Sequence, residues 1–251
     1  MRLGAFAGLA TAGLGLETAL PPPFQLDQAH ALTPLSPSAT PTPMFCNQMR
    51  PQTPSDALAA LVQGNARWAT LTQAHPGEDA DRRTCVADKG QTPFAAIISC
   101  SDSRVPPELV FDYGLGDLFV ARVAGNVATG RLAESLYYGT SVLGALVLFV
   151  LGHSDCGAVK TAVTSFPHHE LEFVTLLFPA VKLARRIVKQ AGGDPNDPAQ
   201  VIPVATDQNV ILEVQALRKS PFFKKMVADG TLRIAGGVYD LKTQRVNILI
   251  Q

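Results

Sequence analysis

Two stretches of sequence decide the fold, residues 94–104 (FAAIISCSDSR) and residues 146–157 (LVLFVLGHSDCG). Each opens with a run of apolar residues, which is typical of a strand buried on both faces in a parallel sheet. Between them lie a further apolar run at residues 118–121 and a helical pattern at residues 131–144. Because parallel strands need a crossover connection, usually a helix, this order predicts a parallel sheet and an α/β fold.

Further helices and an edge strand are predicted on either side of this region. Ser55 or Asp56 can cap a first helix, an N-terminal arm that must pack on another surface. Its apolar residues at helical spacing are Leu58, Leu61, Val62 and Trp68. The other predicted elements are helices at residues 170–190 and 207–219, a strand at residues 232–239 and a C-terminal edge strand at residues 244–250.

The first 54 residues differ in composition from the rest of the chain. Residues 21–54 are rich in Pro, Ser, Thr and Gln without hydrophobic periodicity, so we interpret residues 1–54 as a signal-like, disordered extension and linker. Residues 55–251 are then one globular domain.

An apolar run at residues 3–16 resembles an export signal, with Ala29-His30-Ala31 as a candidate cleavage site. The alternative is an uncleaved, disordered extension. We expect export to a periplasm or lumen in the first case and a cytoplasmic chain in the second. The run is too short to span a bilayer, so no transmembrane anchor is expected.

Charge and cysteine content exclude several functional classes. The 21 basic and 21 acidic side chains cancel, so no net field attracts nucleic acid or anionic lipid, and we expect no nucleic-acid partner. Four cysteines in 251 residues are too few for a disulfide scaffold. Cys46 and Cys85 have no ligand-like spacing; they are either free thiols or, in an exported chain, a disulfide.

The polar ends of the two decisive stretches predict a metal site. Ligands of open parallel sheets bind beyond the carboxyl ends of the strands where the strand order reverses, so Cys100 can meet His153 and Cys156 there. Three protein ligands leave one tetrahedral position open, as in catalytic zinc sites. Two thiolates and one imidazole suit zinc better than magnesium or calcium, although these ligand types also fit cobalt or iron. We therefore predict one zinc ion per subunit.

Asp102 and Arg104 follow Cys100 at intervals of two residues, so in extended backbone all three project to the same side. The pair has two alternative uses. Arg104 can keep Asp102 ionised while Asp102 accepts a hydrogen bond from a zinc-bound hydroxide and orients it. Alternatively, Asp102 can occupy the fourth zinc position and close the site until Arg104 withdraws the carboxylate.

Cys-Ser-Asp-Ser-Arg at residues 100–104, followed by Gly-His-Ser-Asp-Cys-Gly at residues 152–157, resembles the signature of the β-class carbonic anhydrases. Residues 116–126 and the helix around residues 58–68 resemble further segments of that family, so the resemblance extends from Asp56 to the C-terminus. It implies a zinc enzyme that reversibly hydrates carbon dioxide to bicarbonate and a proton. It also implies a homodimer or larger homo-oligomer, because the arms of family members wrap a partner subunit.

The resemblance also implies a substrate pocket. One group of the family keeps solvent on the zinc, whereas a second binds an Asp to it and holds bicarbonate nearby. Gln91, Phe119 and Tyr138 fall, by their spacing, where the first group lines its pocket with an amide that orients carbon dioxide and two aromatic rings that keep the pocket dry. One departure is Val123, where the family usually has Asn. This changes the support of the pocket without touching the metal.

The predicted mechanism is metal-assisted hydration, in which zinc lowers the pKa of its bound water to about 7 and the hydroxide attacks carbon dioxide. Buffer or a water chain is expected to carry the proton away, because the sequence places none of the remaining histidines near the metal (His30, His75, His168 and His169). Two alternatives share the scaffold: hydrolysis of carbon disulfide or carbonyl sulfide, and a non-catalytic, zinc-containing regulatory homologue. The intact Asp102 and Arg104 argue against the second, because a structural zinc needs no orienting pair.

Overall fold

The computed structural model describes Cys46 and residues 50–251. Within them the helices are α1 (Pro54–Ala69), α2 (Ala80–Lys89), α3 (Pro107–Val110), α4 (Gly130–Tyr137), α5 (Gly157–Ser165), α6 (Glu172–Thr175), α7 (Phe178–Gln190), α8 (Pro198–Lys219) and α9 (Lys224–Ala228). The strands are β1 (Ala95–Ser99), β2 (Leu118–Arg122), β3 (Val147–His153), β4 (Arg233–Tyr239) and β5 (Val246–Ile250). A 3₁₀ turn (Ala124–Asn126) follows β2, and a π-helical turn (Tyr138–Val142) continues α4. The predicted signal segment and its cleavage site lie outside the described residues.

The five strands form one sheet in the order β2-β1-β3-β4-β5. Strands β1 to β4 are parallel, and β5 runs antiparallel to β4 at the edge. The predicted α/β fold is confirmed, with a mostly parallel sheet, flanking helices, an N-terminal helical arm and a C-terminal edge strand. β1 and β3 are buried along their whole length, which explains why their sequences are continuous apolar runs.

Alternate residues of β3 pack into different cores because side chains alternate across a strand. Phe149 and Leu151 face the cluster that includes Leu58 and Leu61 of α1. Leu148 and Val150 face a second cluster, whose α8 members are Val210, Val214 and Leu217. Helix α1 therefore packs on one face of the sheet and α8 on the other. Neither packing face includes the edge formed by the carboxyl ends of the strands, where the predicted metal ligands lie.

The strand order fixes where a ligand can bind. From β1 the chain passes to β2 on one side and then crosses to β3 on the other, so the order reverses between β1 and β3. Ser99 pairs with Leu151, which brings the carboxyl ends of these two strands side by side. A crevice at such a reversal is the usual ligand site of doubly wound folds.

The region before α1 is tied to the domain at two points. A disulfide joins Cys46 to Cys85 of α2, which is one of the two alternatives left open by the sequence. The Arg50 guanidinium donates hydrogen bonds to the carbonyl oxygens of Thr92, Pro93 and Gly144 at 2.7–3.1 Å. Among the described helices, none has the length and apolar character needed to cross a membrane.

Candidate metal centre

Three buried side chains converge where β1 and β3 end. Cys100 follows β1 directly, His153 is the last residue of β3, and Cys156 caps the start of α5. Their ligand atoms all lie within 4.8 Å of one another. The two sulfur atoms are 4.0 Å apart and are not joined in a disulfide. The structure therefore brings the three predicted metal ligands together.

The donor set fits a zinc ion. The Nδ1 atom of His153 lies 2.9 Å from the carbonyl oxygen of Ser154, so Nδ1 carries the proton and donates it there. The Nε2 atom is buried and has no hydrogen-bond partner among the residues that the structure describes, so its lone pair is free to bind a metal. Two sulfurs bound to one tetrahedral zinc at about 2.3 Å would be about 3.8 Å apart, close to the 4.0 Å found here.

Backbone amides stabilise negative charge on both sulfurs. The N–H of Gly125 donates to Cys100 Sγ at 3.4 Å, and the backbone amides of Ala158 and Val159 act to lower the pKa of Cys156. The Cys156 thiol, together with His153 and the Gly125 amide, lowers the pKa of Cys100 well below its ordinary value despite burial. The pKa of Cys156 is raised because its thiol donates to Cys100 and is itself buried. A metal ion held by these sulfurs would release protons on binding, because thiolates and not thiols are the metal ligands.

Asp102 and Arg104 form a two-point ion pair beside these ligands. Arg104 Nε donates to Asp102 Oδ1 at 2.9 Å, and Nη2 donates to Oδ2 at 2.7 Å. These bonds hold the pKa of Asp102 far below its usual range, although partial burial acts in the opposite direction. Oδ2 lies 3.8 Å from His153 Nε2, so the carboxylate borders the ligand cluster while both of its oxygens bind Arg104. Of the two alternatives from the sequence, this arrangement matches the paired one.

Arg122, at the end of β2, holds the backbone of the first ligand stretch, and this role was missed from the sequence. Its Nε donates to the carbonyl oxygen of Cys100 at 3.0 Å, and its Nη2 donates to that of Asp102 at 2.7 Å. Every residue has a backbone carbonyl, so no residue type in the sequence marks the partners of Arg122. The register of β2 against β1 shows that Arg122 lies beside the end of β1.

The structure does not bring the three predicted pocket residues to the metal ligands of the same chain. Phe119 pairs with Ala96, four residues before Cys100, and therefore lies about 13 Å from it along the strand direction. The Tyr138 ring is 6.1 Å from that of Phe119 and belongs to a residue that is 48% exposed. Gln91 is exposed ahead of β1, at the opposite end from Cys100. Within one chain, these side chains lie toward the amino ends of the strands.

A cavity of about 540 Å³ does border the turn between His153 and Cys156, but on the α8 side. Ser154 and Asp155, which lie between His153 and Cys156, form part of its wall, and α8 and β5 form most of the rest. None of the predicted pocket residues lines it. The pocket implied by the resemblance is therefore not this cavity.

Comparison with known proteins points to one family. Residues 95–246 match the family model described as carbonic anhydrase. A protein named carbonic anhydrase 2 from Mycobacterium tuberculosis is 34% identical over 199 residues, which cover 76% of this chain and 91% of that protein.

Two solved structures share the fold. A β-carbonic anhydrase from Coccomyxa, solved in complex with acetazolamide, has a TM-score of 0.57 and 28% identity, with coverage of 77% of this chain and 86% of that one. A structure described as one of two tetrameric β-carbonic anhydrases from the ascomycete Sordaria macrospora has a TM-score of 0.59 and 25% identity, with coverage of 77% and 97%.

Proposed function

Because this chain belongs to the β-class carbonic anhydrase family, we propose that it holds one zinc ion per subunit and hydrates carbon dioxide reversibly to bicarbonate and a proton. One observation carries the metal assignment: the sulfurs of Cys100 and Cys156 and the unpartnered Nε2 of His153 converge at the reversal point of the sheet. Zinc bound there would act as a Lewis acid and lower the pKa of water to about 7, which supplies a nucleophile at neutral pH.

Asp102 orients the reacting water in this proposal. Arg104 keeps its carboxylate ionised and fixes its plane, so the carboxylate can only accept a hydrogen bond from a water molecule beside His153 and Cys100. Accepting that bond sets the direction of the water lone pair, as second-sphere carboxylates do in other zinc sites. Arg104 is half exposed, so the Asp102–Arg104 side of the site is open to solvent, and buffer can collect the released proton there.

A second copy of the chain would complete the pocket. Phe119 and Tyr138 form an aromatic pair that is partly exposed and lies away from the metal ligands of its own chain. We propose a homodimer or larger homo-oligomer in which the aromatic pair of one subunit faces the metal site of the other and excludes bulk water from it. The tetrameric relative from Sordaria macrospora supports such assembly.

The Cys46–Cys85 disulfide supports a proposal about location. Disulfides persist in oxidising compartments and are rare in the cytosol. We propose that the chain acts after export, in a periplasm or lumen.

The substitution Asp102→Asn tests whether the site is catalytic rather than structural. An amide keeps the shape of the carboxylate but loses its charge and adds a donor that faces Arg104. Carbon dioxide hydration should fall about 100-fold or more, while zinc content and the unfolding midpoint stay close to wild type. Stopped-flow hydration and metal analysis on the same sample measure this.

The control is Asp229→Asn, which removes an exposed carboxylate paired with Lys225 on α9 and should leave hydration unchanged. Full hydration activity in Asp102→Asn would contradict the orienting role. Zinc-loaded wild-type protein without hydration activity would favour the non-catalytic homologue.

A further inference from the structure

The turn that follows β2 covers the sulfur of Cys100. We name residues 123–128 the β2 turn. In it, the Gly125 N–H donates to Cys100 Sγ at 3.4 Å. Gly125 has a φ of 77°, and a Cβ atom there would lie 3.1 Å from Leu177 Cδ1. Only glycine fits this backbone conformation in this space, so the amide direction depends on the exact path of the turn.

The β2 turn contains one backbone hydrogen bond of its own, from the Asn126 N–H to the Val123 carbonyl oxygen at 3.0 Å. Asn126 is 2% exposed and has a φ of 48°, in the left-handed region. Its buried Nδ2 atom has no hydrogen-bond partner among the described residues. The amide nitrogen of the side chain in the sharpest part of the turn therefore adds no support, and further support comes from groups outside the turn.

Helix α8 supplies two such groups, one for each side of the turn. Asn209, which is 3% exposed, donates from Nδ2 to the carbonyl oxygen of Gly125 at 2.9 Å. Glu213 Oε2 accepts the N–H of Ala128 at 3.0 Å. Residues four apart on a helix lie on the same face, so the two side chains form a clamp with a fixed spacing.

Asn209 is buried and Glu213 is partly buried, and both are unfavourable residue types for a helix that packs on a sheet. A buried amide or carboxyl group destabilises the fold unless it is hydrogen-bonded, and an apolar residue would pack there without that penalty. Burial raises the pKa of Glu213, and the hydrogen bond from the Ala128 amide lowers it by less. The two groups find their partners in the β2 turn, so their placement is explained by holding that turn.

We infer that Asn209 and Glu213 are positioning residues of the metal site: they hold the β2 turn so that the Gly125 N–H meets Cys100 Sγ, and α8 thereby sets the zinc affinity. The chain of contacts runs from Asn209 to Gly125 and from Gly125 to the ligand sulfur. The inference rests on the metal site of the proposed function. Loss of an outer-sphere partner of this kind typically weakens metal binding by about 10- to 100-fold.

The main test is the zinc affinity of Asn209→Asp, measured on the full chain by competition with a chelator. The variant keeps the side-chain size but replaces the donor with an oxygen that faces the Gly125 carbonyl. We expect affinity about 10- to 100-fold weaker than wild type and a shift of the thiolate-to-cobalt absorption bands in cobalt-loaded protein.

The matched control is Thr206→Val on the same helix. Thr206 is buried, but its hydroxyl donates to Ile202 within α8 and does not reach the β2 turn. A purely structural role for Asn209 would lower the stability of both variants and leave zinc affinity and the cobalt spectrum unchanged in both.

Glu213 gives an independent arm of the test. Glu213→Gln keeps an oxygen that can accept the Ala128 N–H and should bind zinc like wild type, whereas Glu213→Leu removes the acceptor and should bind it more weakly. Wild-type zinc affinity and an unchanged cobalt spectrum in Glu213→Leu and in folded Asn209→Asp would overturn the inference. Zinc affinity is measured without carbon dioxide, so zinc-binding protein that lacks hydration activity would contradict the proposed function and not the clamp.

Discussion

Two aspartates of this chain illustrate how different surroundings give one residue type different roles. Asp102 is 17% exposed, binds Arg104 with both oxygens and borders the metal ligands. Asp112 is almost fully buried and binds the Arg67 guanidinium and the amides of Ala74 and His75. The first lies at the candidate metal centre, whereas the second joins α1 to the loops that pack on it.

Asp112→Asn should destabilise the fold in a pH-dependent way. Burial by itself would raise the pKa of Asp112, but the Ala74 amide, Arg67 and the His75 amide hold it below its ordinary value. A lowered folded-state pKa stabilises the fold above the unfolded pKa of about 3.9 and loses that contribution as pH falls through the folded value. We expect a loss of about 1–3 kcal/mol in urea unfolding at pH 7.

The difference between Asp112→Asn and wild type should begin to narrow below about pH 4, because the unfolded chain then binds a proton that the folded carboxyl takes up only at lower pH. Asp88→Asn, at an exposed position of α2, serves as the control and should change stability by less than about 0.5 kcal/mol. An equal difference at pH 7 and at pH 3 would show that the ionised form of Asp112 does not contribute.

Single residues differ in how far their place could be predicted from sequence. Cys100, His153 and Cys156 could be brought together because each follows an apolar run, and parallel strands end at one edge of the sheet. Asn209 and Glu213 could not be found, because they bind backbone atoms more than 80 residues away and no spacing marks such bonds.

At the scale of elements, the strands and the first helix were predicted more closely than the long helices. The predicted helix at residues 170–190 is in fact α6 and α7, with a break ahead of Pro179. The predicted start at residue 207 was too late, because Asp197 caps α8 and Pro203 is accommodated inside it. Thr53 caps helix α1, so the helix begins at Pro54, because proline fits the first turn of a helix. With the predicted caps Ser55 or Asp56, the helix would have begun two or three residues later.

These errors have a common physical cause. A buried strand repeats its burial at every residue, so its sequence signal is strong and ends abruptly where polar ligands begin. A helix such as α8 is partly buried by α5, α7 and the sheet at once, so its apolar residues do not follow one simple stripe. Helix bounds at these positions depend on tertiary packing that periodicity alone does not contain.

For the whole molecule, assembly is the proposal that explains the partly exposed aromatic pair of Phe119 and Tyr138. Light scattering of the full chain should give a molar mass at least twice that of one subunit. Tyr138→Glu places a charge in the proposed interface, so it should lower the molar mass and slow hydration at unchanged zinc content. A wild-type monomer with full hydration activity would contradict the shared pocket.

The central claim is that His153 Nε2 and two cysteine sulfurs hold the zinc ion on which hydration depends. The most direct measurement determines zinc content and carbon dioxide hydration together for wild type, His153→Ala and the exposed-histidine control His168→Ala. We predict about one zinc per chain and rapid hydration in wild type and His168→Ala, and loss of both in His153→Ala. Full zinc content and hydration in His153→Ala, or equal loss in both variants, would contradict the account.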